Sequence, residues 1–287
     1  MMSNNKILLF STILILPFLG CKEVSEVASC EFTESLEGYN LVWSDEFDGS
    51  EIDANKWSYD LGDGCEISED LCGWGNNELE YYTDRSRNSF VEDGKLVIEA
   101  IREAPLYLGK HQYTSARMVT KNKGDWKYGR IDVRARMPIG QGLWPAIWML
   151  PTDNAYGDWP KSGEIDIMEY LGHEPERTFG TIHYGHENWA FNSQGLILEE
   201  DEDNFHEAFH VFTVLWTENC IQFRMDGQDV GVANTRSTTL PSTFPFDQRF
   251  HLILNVAVGG NLPGNPDATT RFPQRMEVDY VRVYQEK

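Results

Sequence analysis

The chain has 287 residues, 46 of them acidic and 24 basic, for a formal net charge of −22. That length suits one large all-β domain or two small ones. So acidic a surface repels polyanions, which makes nucleic acids and heavily sulfated polysaccharides poor partners; solubility in a salty medium explains the charge equally well.

The first segment, "MMSNNKILLFSTILILPFLGC", carries Lys6, an apolar run from Ile7 to Leu19, then Gly20 and Cys21. The run is too short to cross a bilayer comfortably and reads as an export signal. A small residue before Cys resembles a bacterial lipoprotein signal, with residues 1–20 removed and Cys21 lipidated as the mature N-terminus. Phe18 stands where Leu is more usual, and simple secretion is the alternative. A lipid on Cys21 would tether the protein to one face of an outer membrane, not span it. Residues 21–38 have neither strand nor helix period and read as a polar tether.

With Cys21 acylated, Cys30, Cys65, Cys72 and Cys220 remain. In an exported chain they favour disulfides, and no CxxC suggests zinc. Cys65 and Cys72 are close enough in sequence to staple "GCEISEDLCGWG"; Cys30 with Cys220 follows by elimination and would pin the tether to the domain.

From Tyr39 on, short alternating segments rich in Val, Ile, Tyr and Phe are punctuated by Gly, Pro, Asn and Asp. Examples are "KLVIEAIRE" (95–103), "YGRIDVRARMP" (128–138), "AFHVFTVLWT" (208–217), "FHLILNVAVGG" (250–260) and "MEVDYVRVYQ" (276–285). Each has strand length, and no stretch sustains a helical period. Many short strands at fairly regular spacing predict a β-sandwich or jelly roll, as one domain over 39–287. Trp74, Trp126, Trp144, Trp159 and Trp189 sit beside polar or turn residues. Any one of them could serve the core; together they favour a cleft for sugar rings, whose C–H faces stack on π systems.

"KSGEIDIMEYLG" (161–172) places Glu164, Asp166 and Glu169 among apolar residues. Strand alternation puts Glu164 and Asp166 on one face and Ile165 and Ile167 on the other, which leaves Glu169 out of phase. An acidic edge strand facing solvent is the plainer reading, but Ile165, Ile167 and Met168 need a packed side. A β-bulge near Ile167–Met168 restores Glu169 to the acidic face. Four effective steps then separate the glutamate Cα atoms by roughly 13 Å, at about 3.3 Å per residue. Side chains leaning together bring the carboxyls to about 5–5.5 Å, the spacing of a retaining glycosidase. Asp166 between them would help keep one glutamate protonated near neutral pH.

This segment resembles the E-x-D-x-x-E signature of glycoside hydrolase family 16 in its bulged form. The resemblance runs across residues 41–284, through "LVWSDEFDG", "WGNNELEYYT", "GRIDVRARMPIGQGLWPAIWMLP", "TIHYG", "FHVFTVLWT" and "MEVDYVRVYQ". It is most similar to bacterial laminarinases. It implies a β-jelly-roll sandwich of two antiparallel sheets with a concave cleft, and endo-hydrolysis of β-1,3-glucan with retention. Glu164 would be the nucleophile, Glu169 the acid/base, Asp166 the assisting carboxylate and His183 a positioning residue. Trp144 and Trp148 match the aromatic floor; Asn77, Glu78 and Arg117 match polar sugar-binding positions, and Trp189, in a variable stretch bordering the cleft, is a further expected substrate-binding residue. The resemblance also implies a structural calcium, with Glu46, Gly94 and Asp279 in the matching positions, and no cofactor for the chemistry. The expected partner is β-1,3-glucan, with mixed-linkage glucan as a second substrate, and the expected state is a monomer. Two alternatives stay open: a same-fold hydrolase of red-algal galactans, and a non-catalytic glucan-binding module.

Overall fold

In the strand Phe250–Val258 all nine residues are buried. A strand covered on both faces reads as a nearly continuous apolar run, which "FHLILNVAV" does apart from His251 and Asn255. Phe250, Leu252, Leu254, Val256 and Val258 enter the core. By alternation, His251, Ile253, Asn255 and Ala257 point to the opposite face.

The structure, a computed structural model, describes residues 35–185, 191–199, 205–234 and 244–287. The leader, most of the tether, Cys21, Cys30 and Trp189 lie outside the described residues, so the expected Cys30–Cys220 bridge does too. The first sheet runs, in spatial order, Phe191–Glu199, Arg177–Gly185, Glu164–Tyr170, Leu143–Pro151, Phe250–Val258, Arg117–Val119 and Ser58–Tyr59, with Asp125–Trp126 also paired to Phe250–Val258. Its partner runs Gln228–Asn234, Cys220–Met225, His210–Trp216, Gly129–Arg136, Gln274–Glu286, Lys95–Tyr107, His111–Ser115 and Glu80–Tyr82. Tyr39–Asp45 adds to Gln274–Glu286, and Ser89–Glu92 to Lys95–Tyr107. Among the described strands, pairing is antiparallel except between Glu80–Tyr82 and His111–Ser115, which run parallel.

One core fills the space between the sheets, drawing Ile131, Val133, Met276 and Val281 from one and Ile147, Met149, Ile165 and Leu254 from the other. The outer face of the second sheet carries cross-strand ion pairs: Arg134 to Asp279 at 2.6 Å, Arg136 to Glu277 at 2.6 Å and Arg282 to Glu46 at 2.7 Å. Exposed pairs contribute little each. Their effect is to commit scarce cations to the side of the molecule that the acid strand does not face. The expected Cys65–Cys72 disulfide is formed and staples its loop.

Gly180 of Arg177–Gly185 faces inward against the second sheet, where a Cβ would lie 2.9 Å from Cγ of the buried Phe223 ring. Overpacking of this kind costs about 1–3 kcal/mol. Gly180→Val is therefore expected to lower the urea midpoint by a corresponding amount, and an unchanged midpoint would contradict this packing.

Candidate active site

Strand register decides which side chains share the cleft. On one side of Glu164–Tyr170, Ile147 pairs with Met168 and Trp148 with Asp166, leaving Ile167 as the extra residue. On the other side, Asp166 faces Thr181 and Glu169 faces Phe179, so Ile167 and Met168 together oppose Gly180. This is the bulge expected from the sequence. Both Ile167 and Met168 enter the core, with Ile165 and Tyr170. Glu164, Asp166 and Glu169 are thereby turned to the opposite face.

Their partners come from neighbouring strands. His183 lies directly across from Glu164. Its Nε2 is 2.9 Å from Asp166 Oδ2 and 3.9 Å from Glu164 Oε1. Trp144 Nε1 donates to Glu169 Oε1 at 3.2 Å, and Trp159 Nε1 donates to Glu164 Oε2 at 2.9 Å. Asp166 is only 3% exposed.

Burial is the main force on all three acids. It lifts Glu164 well above the ordinary glutamate value, and the Asp166 charge adds to this, while His183 and the Trp159 N–H pull it back. Asp166 is also lifted well above its ordinary value, by burial and then by the Glu169 charge. Glu169 is raised by burial, against the opposing pull of His183 and the Trp144 N–H. Three carboxyls in such surroundings resist ionising together, so protons are held to higher pH than on free carboxyls. One donor group from Glu164, Asp166 and His183 falls within 4.8 Å of the others, close enough to hold a metal ion. Its imidazole does not suit calcium, which takes oxygen ligands.

The remaining expected residues divide. Trp148 Nε1 donates to Asn255 Oδ1 at 2.7 Å. The Arg117 guanidinium lies between two indoles, 4.3 Å from the centre of Trp74 and 4.7 Å from that of Trp148, and Nε donates to Asp60 at 3.1 Å. Asn77 is exposed and its amide donates to Asn261 at 2.7 Å. Glu78 takes bonds from Asn76 at 3.2 Å and Tyr82 OH at 3.3 Å, so both its oxygens face protein donors. The expected calcium residues lie away from this cleft. Asp45 pairs with Val281 and Leu96 with Val278, so register brings Glu46 and Gly94 beside Asp279 at one corner of the second sheet.

Trp159 was expected only as one of several cleft aromatics, without its bond to Glu164, and Asn255 was not expected in the site. Trp159, 56% exposed, precedes the acids in "DWPKSGE", where an aromatic beside Pro and Gly was the available signal. Asn255, only 6% exposed, is a lone amide in an apolar strand, and a buried amide needs partners.

Known proteins are similar to this chain in sequence and fold. The family profile described as glycosyl hydrolases family 16 matches residues 75–282. A glucan endo-1,3-beta-glucosidase A1 from Niallia circulans is 43% identical over 266 residues, covering 88% of this chain and 39% of that protein. A beta-glucanase from Rhodothermus marinus is 41% identical, covering 99% of this chain and 97% of the other. Among solved structures, the laminarinase catalytic domain of Thermotoga maritima is 46% identical with a TM-score of 0.79, covering 87% of this chain and 99% of that one.

Trp159→Phe removes the indole N–H that holds Glu164 down. Its carboxyl is expected to titrate at a still higher pH, read by difference infrared spectroscopy; an unmoved titration would show that the bond does not act on Glu164.

Proposed function

The chain belongs to the glycosyl hydrolases of family 16, and from that premise we propose that it cleaves β-1,3-glucans internally by double displacement within the acid-lined cleft. The names and coverage of its relatives support the substrate. The observation that carries the chemistry is the shared face of Glu164, Asp166 and Glu169, opposite two core isoleucines.

Glu164 attacks the anomeric carbon and forms a glycosyl ester as the bond to the leaving sugar breaks. Glu169 gives its proton to the departing glycosidic oxygen. The resulting carboxylate then takes a proton from water, which attacks the same carbon and releases Glu164. Two inversions leave the β configuration unchanged. Asp166 and His183 touch this pair and set where its protons reside, while Trp159 orients the attacking carboxyl. Trp144 and Trp148 offer ring faces to the sugars, beside Arg117. Mixed-linkage glucan is the second substrate we propose; the bulged acid strand argues against a strict mixed-linkage specialist but not against that activity.

Laminarin digests followed by NMR are expected to show the β-anomer first, with product sizes falling throughout the chain. Agarose and κ-carrageenan should remain intact. Glu169→Gln should reduce kcat by about 10²–10⁴-fold, the range of general acid–base catalysis, and Glu164→Gln should be at least as damaging. An α-anomeric first product, or near-normal turnover in either variant, would overturn the mechanism.

We propose structural calcium at the Glu46, Gly94 and Asp279 corner. These residues offer only oxygen donors from distant loops, the ligation calcium prefers. The carboxylates of Glu46 and Asp279 also face Arg282 and Arg134, which leaves backbone oxygens an essential part of any such site. Calcium at about 100 times its Kd would stabilise the fold by about 2.7 kcal/mol. Melting with added calcium and with EDTA is expected to separate accordingly in the wild type but not in Asp279→Asn; coincident wild-type curves would remove the site.

A further inference from the structure

In "NNELEYYT" the strand alternation is inverted relative to polarity. Leu79 is 37% exposed, whereas Glu80 is completely buried. Two glutamates point inward with a leucine outward between them, and ionised acids do not bury at such a site without compensation.

The compensation can be traced atom by atom. Val258 N–H donates to Glu80 Oε2 at 2.6 Å. Glu80 Oε1 is buried and finds no hydrogen-bond partner. Glu78 is the neighbouring acid, accepting from Asn76 and from Tyr82 OH. Tyr82 OH in turn accepts from Asn255 Nδ2 at 2.9 Å, and Asn255 Oδ1 accepts the Trp148 N–H at 2.7 Å. A polar chain thus runs from buried Glu80 and half-buried Glu78 to an indole of the cleft floor. A proton on Glu80, directed at Glu78, turns a contact between two acceptors into a hydrogen bond and satisfies the orphaned oxygen.

We propose that Glu80 is a positioning residue, whose buried proton is shared with Glu78 and fixes the Glu78–Tyr82–Asn255–Trp148 chain that orients the cleft-floor indole. The inference rests on the glucanase reading for its kinetic consequence, though not for the proton itself. The charged and titratable groups around the pair are Arg117, which draws Glu78 down, and Tyr82, with Asp60 bonded to Arg117 beyond. Burial lifts Glu80 well above the ordinary glutamate value, and the Glu78 charge adds to it. Glu78 is raised by burial, and a hydrogen bond from a protonated Glu80 would work against this. Burial, then both glutamates, keep Tyr82 neutral and therefore able to donate.

The sign of the pH effect follows. Glu80 binds its proton more tightly folded than unfolded, so folded stability falls as pH rises from the ordinary carboxylate value through the raised one. Over the upper part of that range, two adjacent carboxylates repel each other and the chain to Trp148 loosens.

Glu80→Gln keeps a neutral group able to donate to Glu78 and to accept from Val258 N–H, without a proton to lose. Steady-state kinetics on laminarin across pH are expected to show wild-type KM rising several-fold as pH rises through the Glu80 titration. In Glu80→Gln KM should stay flat, with kcat at its pH optimum unchanged. Melting without substrate should show the wild-type decline in stability with rising pH reduced in Glu80→Gln. Glu80→Leu, which can neither accept from Val258 nor donate to Glu78, should raise KM at every pH. Identical KM–pH curves for wild type and Glu80→Gln would overturn the proposal, whatever the melting shows. A wild type inactive on laminarin would instead overturn the glucanase reading, while melting would still report the proton.

Discussion

One surplus residue in one strand governs this molecule. Without it, Glu164 and Asp166 would face the cleft and Glu169 would enter the core, because side chains alternate strictly. With it, Ile167 and Met168 both turn inward against a single position of the neighbouring strand, held by Gly180. Glycine belongs there for a packing reason, since Phe223 from the opposite sheet occupies the space a side chain would need. The catalytic proposal therefore depends on sandwich packing on the far side of the acid strand.

Electrostatics follows from that placement. Desolvation raises all three acids and neighbouring carboxylate charge adds to it at Glu164 and Asp166, while the imidazole of His183 and the indoles of Trp144 and Trp159 draw the two glutamates down. Arginines that could have neutralised the acids are committed elsewhere, many of them to ion pairs on the outer face of the other sheet. Arg117 does reach the cleft, but it is stacked between indoles and bonded to Asp60. A neighbourhood poor in cations lets carboxyls hold protons to higher pH than usual, which favours acid catalysis. The same logic recurs beneath the cleft floor at Glu78 and Glu80.

Much of this was legible in the sequence because alternation and phase errors are local. The all-β sandwich could be read from short apolar runs, and the bulge from Glu169 alone, since three acids and two isoleucines cannot otherwise separate to two faces. The Cys65–Cys72 staple followed from proximity in the chain. What could not be read depends on distant pairing. Trp159 reaches Glu164 through the fold of an intervening turn, and its contact has no sequence period. Glu78 resembled a sugar-binding residue, and its bonds from Asn76 and Tyr82 could not be read from the chain. The parallel pairing of Glu80–Tyr82 with His111–Ser115 likewise has no local signature. Asn255 was concealed within an apolar strand whose other face nothing in the sequence identified as a cleft.

The central claim is that the bulged strand sets Glu164 against the anomeric carbon and Glu169 against the leaving oxygen. A 2-fluoro laminaribiosyl fluoride slows both steps but retains a good leaving group, so a covalent intermediate should accumulate. Proteolysis and mass spectrometry of the inactivated protein are expected to locate the sugar on Glu164. An adduct on Glu169 or Asp166, or full inactivation with no sugar attached, would contradict the account.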